Sequence, residues 1–369
     1  MEPEVSLDGT RIHAATDGCG SNAVDRDTGR KRPATLADVA ASARLVDALD
    51  QFDLYWMMVS AQDVPRERRV AQEYLTALRN TGKPVQMIDM GRPEEAETLV
   101  RMASALNAAG VVQGPPVSAL VSVVSPLRLD PDGTQAALAF AAAGLPIVAC
   151  SMPIAGVTAP ATSAGCLLLA HAESLALATI LEIASPGAPV IYCSFASFAH
   201  GRTGATNYAD PRAEWTAAAA AQLGRSVGIP CFSSGGLLAM MARPDILSGG
   251  GLLETSTLLA LEQLVIENEA LRDCRLAAAA PDLGSDALAT ELIAHVGPGG
   301  NFLAQRHTLQ HMKQFVLPKF RESSDDVESH ARERALTEAR RLLESHPVPP
   351  LPAAVDATLE RIVNEAASP

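Results

Sequence analysis

The densest set of chemically useful side chains in this chain is F-A-S-F-A-H-G-R-T-G-A-T-N-Y, residues 195–208. It brings Phe195, Phe198, His200, Arg202, Asn207 and Tyr208 into one loop, although the whole chain has only 8 Phe, 4 Tyr and 2 Trp. Aromatic faces interleaved with a few polar groups suit a small polar or cationic ligand; the plain alternative is loop packing. Asp63, in A-Q-D-V-P after the apolar run YWMMVSA, stands where barrel enzymes place carboxylates at strand ends. A loop aspartate capping the next helix would read the same way. Glu254 directly follows the apolar run GGGLL and also reads as a strand-end carboxylate, unless it serves the first turn of a helix over 256–272. Met152 and Ser233 sit at the ends of two further apolar runs. The expected ligand pocket is therefore Asp63, Met152, Phe195, His200, Asn207, Tyr208, Ser233 and Glu254.

Other candidates point elsewhere. His307 and His311, in R-H-T-L-Q-H-M, are four apart and share a helix face, but the glutamate of a zinc-binding H-E-x-x-H is missing, so no metal site is expected. The stretch V-G-P-G-G-N-F-L, 296–303, is a tight glycine loop that lets backbone approach a ligand or partner closely, or a plain turn. Lys83, in T-G-K-P-V, precedes its strand and so lies at the wrong end of a barrel for Schiff-base chemistry. There is no G-x-S-x-G, and no catalytic group is assigned.

The elements that must position these residues alternate. Apolar runs at 55–61, 84–89, 117–125, 146–151, 189–194 and 229–234 start 29 to 43 residues apart. Helical stretches lie between them, several ending in Gly, which is the βα period of a parallel sheet covered on both faces. A dinucleotide fold needs G-x-G-x-x-G after its first strand, and neither GCG at 18–20 nor GGG at 249–251 supplies it. A TIM-type (β/α)8 barrel is expected over 34–300, with one βα unit shortened. The seventh and eighth positions are expected to be irregular and drawn from 245–253 and 292–297. Residues 1–33 are expected to form a cap or hairpin under the barrel, and 301–369 a C-terminal helical extension.

Composition narrows the partners. With 29 basic and 42 acidic residues the net charge is −13, and the four lysines form no basic block. That excludes a nucleic-acid footprint. The six cysteines have no C-x-x-C or zinc-ribbon spacing. The acidic start excludes a signal peptide, and no uninterrupted run of 18 apolar residues suggests a membrane span, so a cytoplasmic location is expected.

Several segments together carry a resemblance. H-V-G-P-G-G-N-F-L-A-Q-R-H-T-L-Q-H-M-K (295–313) resembles the C-terminal signature of the trimethylamine methyltransferase family. S-M-P-I-A-G-V-T-A-P-A-T-S-A-G (151–165), S-P-G-A-P-V-I-Y (185–192), R-P-A-T-L-A-D-V (32–39), A-Q-D-V-P and P-P-L-P-A-A-V (349–355) resemble further motifs of it, in order. The resemblance implies a TIM barrel that moves a methyl group from a small methylated amine to the Co(I) corrinoid of a separate corrinoid-binding protein. No permanently bound cofactor is implied. Nothing here is pyrrolysine, so the resemblance favours relatives acting on quaternary amines, and Gly299, Gly300, Asn301 and His307 become candidates for the face toward the corrinoid partner. A homo-oligomer is left open. The chain departs from the family in lacking most of an N-terminal helical region. It also runs from S-S-G-G through LLAMMARPDILS almost directly into GGGLLETSTLLALEQL, where relatives carry a longer stretch. That departure leaves a second reading open, a catalytically weakened relative that binds an amine or a corrinoid protein.

Overall fold

Eight short parallel strands close a ring in chain order. The structure is a computed structural model and describes residues 5–112, 114–315, 319–320 and 328–366. The strands are β1 His13–Ala15, β2 Tyr55–Trp56, β3 in two pieces (Val85–Gln86 and Ile88–Asp89), β4 Ala119–Val123, β5 Ile147–Ser151, β6 Val190–Ser194, β7 Cys231–Ser234 and β8 Ile246–Ser248. Each pairs in parallel with the next from β2 to β8. β8 pairs with β1 through His13 opposite Ile246, and a parallel bridge from Ala15 to Leu54 joins β1 to the start of β2. This is a (β/α)8 barrel.

The helices are α1 Leu36–Ala48, α2 Arg66–Leu78, α3 Pro93–Ala109, α4 Pro131–Ala142, α5 Ser163–Ala184, α6 Pro211–Ser226, α7 Leu237–Met241 and α8 Leu261–Ala278. Their starts follow from local chemistry. Pro131 and Pro211 open α4 and α6, where a missing N–H does no harm. Asp130 and Asp210 accept from the backbone N–H of Gly133 and Arg212, filling the donors a helix start leaves bare. All five residues of β5 are buried, as a strand covered on both faces requires. Phe232, Tyr55, Phe52 and Met58 are among the largest fully buried side chains, each contributing about 1.5–3 kcal/mol by its transfer from water.

The six apolar runs each carry one strand, β2 to β7. The remaining two positions differ from expectation. Ile246–Ser248 is a regular strand paired on both sides, whereas 292–296 lie in the helix Thr290–Val296. The eighth strand is β1, within the stretch read as a cap. Three residues, H-A-A, are too short and too weakly apolar to stand out as a run. The shortening falls on α7, one turn and a half where its neighbours have several turns. Asn22–Val24 and Lys31–Pro33 form an antiparallel hairpin that joins Leu252–Leu253 and Leu258–Leu259 in a four-stranded sheet. Built from the loops after β1 and β8, it lies over the C-terminal face of the barrel rather than under it.

Helix Glu328–Ser345 packs on α8 and α1, and helix Ala353–Glu365 on α3 and α2. Ala335, Ala339, Leu359, Ile362 and Val363 enter the barrel's own hydrophobic core. Among the described residues from 276 to 315, by contrast, none is buried. Among the described residues α5 alone is long and apolar enough to cross a membrane. It packs on β4, β5 and β6 and buries Glu173, whose carboxylate accepts from Ser125 Oγ, Ser151 Oγ and the N–H of Leu127.

Candidate active site

The C-terminal ends of the strands open into a cavity of about 780 Å³. Asp17–Cys19 reach it from β1, Trp56 from β2, Asp89 from β3, Met152 from β5, Ser194–Ala196 from β6, Ser234 and Gly235 from β7, and Ser248–Gly250 from β8. This is the end at which barrel enzymes assemble their sites from βα loops.

Aromatic rings form one wall. Trp56 stacks on Phe195 with centroids 6.1 Å apart, and both rings meet the edge of Phe232 at 5.4 and 5.1 Å. Tyr208 joins them at the mouth. The loop that carries it is a β-hairpin, in which Ser197–Ala199 pairs with Thr206–Asn207 and leans on Ile154–Ala155. Tyr208 is 40% exposed and lines the cavity. Desolvation of its hydroxyl pushes its pKa up to about 12.

Carboxylates supply the rest of the chemistry. Asp17, Asp89, Glu214, Glu254 and Glu267 line the cavity, and no Lys, Arg or His stands among the described lining residues. Burial holds Asp89 up at about 7, with the charge of Asp17 adding to the effect. The indole of Trp56 works against that shift, yet Asp89 Oδ2 and Trp56 Nε1 are both buried without a hydrogen-bond partner. Glu267 is raised to about 7 by burial, partly offset by Gln263 and the N–H of Gly251. Desolvation raises Asp17 against the hydrogen bond from Ser256. Cys19, open to the cavity, is held well above its ordinary range by desolvation and by Asp89, Glu73 and Asp17. Among the described residues Glu254 is the one of the five that is ion-paired, to Lys31. Ser194 Oγ and Glu214 Oε2 are buried without partners. The arrangement is an aromatic-walled chamber rich in carboxyl groups, chemistry that suits a cation when those groups are ionised.

Of the eight pocket residues expected from sequence, Met152, Phe195, Tyr208 and Glu254 line this cavity. The other four do not. Asp63 is exposed and accepts from the N–H of Leu36 at the start of α1. His200 sits at the hairpin tip, its ring nitrogen turned to Thr203. Asn207 accepts from the N–H of Ala209. Ser233 donates to the carbonyl of Ala217 on α6, 3.0 Å away. Successive strand residues face opposite ways, so its neighbour Ser234 takes the inward place. Gly299, Gly300, Asn301 and His307 are not in the cavity lining, and lie in the stretch that buries nothing. The rings of His307 and His311 lie 4.3 Å apart. With Asp286 they form a partly exposed three-ligand group that could hold a metal ion.

Sequence reasoning missed Asp17, Cys19, Trp56, Asp89, Glu214 and Glu267. Asp89 closes the run PVQMID, so the strand-end rule applied to Asp63 would have found it. Asp17 follows the strand that was overlooked. Glu267 comes from the middle of α8, and no local signal marks it.

Residues 1–367 match the family described as trimethylamine methyltransferase (MTTB). The chain belongs to the trimethylamine methyltransferase family. It is thus placed among methyltransferase enzymes. It is 27% identical to trimethylamine methyltransferase MttB of Desulfitobacterium hafniense, over 98% of this chain and 78% of that one. It is 28% identical to a glycine betaine methyltransferase of the same species, over 94% and 78%. Among solved structures it is similar to the monomethylamine methyltransferase MtmB of Methanosarcina barkeri, at 14% identity and a TM-score of 0.45, covering 93% of this chain and 74% of that one.

Proposed function

We propose that the protein transfers a methyl group from a small quaternary amine to the Co(I) corrinoid of a partner corrinoid-binding protein. The observation that carries this reading is the cavity itself, with Trp56, Phe195 and Tyr208 facing five carboxylates and no cationic side chain among its described lining. A quaternary ammonium cannot donate a hydrogen bond, so it is held by π faces and by diffuse negative charge. Those are what the chamber offers.

The corrinoid supplies the nucleophile. The N–CH3 bond breaks as the Co–CH3 bond forms, and the C–N electron pair leaves with a neutral tertiary amine. No proton has to move. The chain's own task is to strip water from the cation, fix it against the rings and present one methyl toward the mouth. The exposed Tyr208 and the buried Trp56–Phe195 stack are the rings we assign to that task. The exposed stretch with Gly299, Gly300, Asn301 and His307 is the surface we assign to the partner, supported by its position in the family signature and its lack of buried residues.

The test is methyl transfer from a panel of quaternary amines to a Co(I) corrinoid protein, followed by loss of the Co(I) absorption. Transfer that depends on both amine and corrinoid protein is expected. Methyl transfer from the amine to an acceptor other than the corrinoid, or transfer that needs S-adenosylmethionine as donor in place of the amine, would overturn the reading.

A further inference from the structure

We infer that the site selects quaternary ammonium compounds that carry no carboxylate, preferring a hydroxyl-bearing cation of the choline type over a zwitterionic betaine. This rests on the amine-binding reading above and sharpens it to a substrate class.

A betaine has two ends. Its ammonium needs what the aromatic wall and the acids provide, and its carboxylate needs a cation or a set of free N–H donors. The cavity has no Lys, Arg or His among its described lining residues. Lys31, beside the rim, is committed to Glu254. Three backbone donors in or beside the lining are engaged as well. The N–H of Gly236, ahead of α7, is held by Glu214, that of Gly251 by Glu267, and that of Gly18 by Asp17. Ser256 Oγ also donates to Asp17. The protein's own carboxylates therefore occupy these four donors, leaving the Trp56 indole N–H, beside Asp89, without a cation to support it as a carboxylate site.

Like charge adds to the exclusion. Asp17 already raises both Asp89 and Glu267, so a further anion entering among them meets the same repulsion in a poorly solvated space. A hydroxyl does not. Ser194 Oγ, at the end of β6, is buried and lacks a partner, and the hydroxyl-bearing Ser234, Ser248 and Thr206 share the lining. These groups can pair with a neutral polar tail.

Choline and glycine betaine are nearly the same size and differ mainly in CH2OH against COO−, so they isolate the carboxylate. Calorimetric titration of the folded protein with choline, tetramethylammonium and glycine betaine separates the outcomes. Choline binding at least about tenfold tighter than betaine supports the inference. Betaine binding as tightly as choline, or more tightly, overturns it and leaves the amine-binding reading standing. Silence from all three overturns the amine-binding reading and this inference with it. A second variant guards against an uninformative result. Glu254→Gln removes one carboxylate and frees Lys31 at the rim, so the preference for choline over betaine should narrow. An unchanged ratio in a folded Glu254→Gln protein would count against a charge origin for the selectivity.

Discussion

Ser256 Oγ donates to the carboxylate of Asp17, tying the loop after the last strand of the barrel to the loop after the first. The bond closes the rim where the ring of strands itself closes, between β8 and β1. It also favours the ionised form of a carboxyl that burial otherwise drives toward neutrality. Replacing Ser256 with Ala should raise the Asp17 pKa further and weaken binding of a quaternary cation at neutral pH. A hydrogen bond to a charged group is worth about 1.5–3 kcal/mol, which is the ceiling on the effect, so the dissociation constant should rise by up to about a hundredfold. Binding that is unchanged across the pH range would show that Asp17 does not sense the ligand.

The raised carboxyls make affinity and stability respond to pH in opposite directions. Asp89, facing Asp17, Cys19 and Trp56, and Glu267, facing Asp17, Gln263 and Gly251, both titrate near about 7. Burial raises Glu73 to about 7 as well, with Glu95 adding and the N–H of Ala61 and the charge of Arg69 opposing. Their unfolded values lie near about 4, so the folded state holds more protons than the unfolded one between these limits. The stability they contribute is complete below about pH 4 and is lost as pH rises through about 7. A cation prefers the ionised forms, so its binding should tighten over the upper part of that window. Thermal unfolding with and without choline, between about pH 6 and about pH 8, should show ligand stabilisation growing with pH. A ligand shift that shrank with pH would contradict the assignment.

Aromatic truncation gives a smaller, charge-independent effect. Phe195→Ala or Tyr208→Ala removes one π face, worth about 0.5–2 kcal/mol to a bound cation. The dissociation constant should rise roughly twofold to thirtyfold. Phe195 also supports Trp56 at 6.1 Å, so its loss should exceed that of Tyr208. Unmutated affinity retained in both variants, measured by calorimetry, would remove the aromatic wall from the site.

The glycine run after β8 has a steric reason rather than a phosphate-binding one. Gly251 has φ +96°, and a Cβ there would lie 2.4 Å from Met58 Cε and 2.6 Å from Leu264 Cγ. Gly144 has φ +67° but open space around it. Gly251→Ala should therefore destabilise by about 1–3 kcal/mol more than Gly144→Ala in denaturant unfolding, because overpacking adds to the backbone strain both share.

The barrel was largely legible because six of its strands are continuous apolar runs, and burial on both faces leaves that mark in any sequence. β1 escaped because three residues with a polar lead-in leave no such mark. The site was legible only where it shares a segment with a strong local signal. Phe195 and Tyr208 stand in an aromatic cluster, and Met152 and Glu254 at recognisable strand ends. Strand direction alone could not decide between Ser233 and Ser234, since one step in register reverses the face. Glu267 and Glu214 come from helices and reach the cavity only through the tertiary arrangement.

Lys83 shows why position along the barrel axis outweighs residue type. It is buried just before β3, at the N-terminal end, and its Nζ donates to the carbonyls of Val46, 2.8 Å away, and Leu49. These are carbonyls at the C-terminus of α1, where a cation is favoured by the helix dipole and where the helix leaves acceptors without internal partners. Lys83→Met keeps the apolar stem but strips the Leu49 carbonyl of its lysine donor and leaves that of Val46 with only the N–H of Leu49, which should destabilise the protein by about 1–3 kcal/mol in denaturant unfolding. Amine affinity should stay unchanged, because the cavity is at the opposite end of the strands. A folded Lys83→Met protein that loses amine binding would place a functional group at the base of the barrel and break the separation of stability from chemistry argued for this fold.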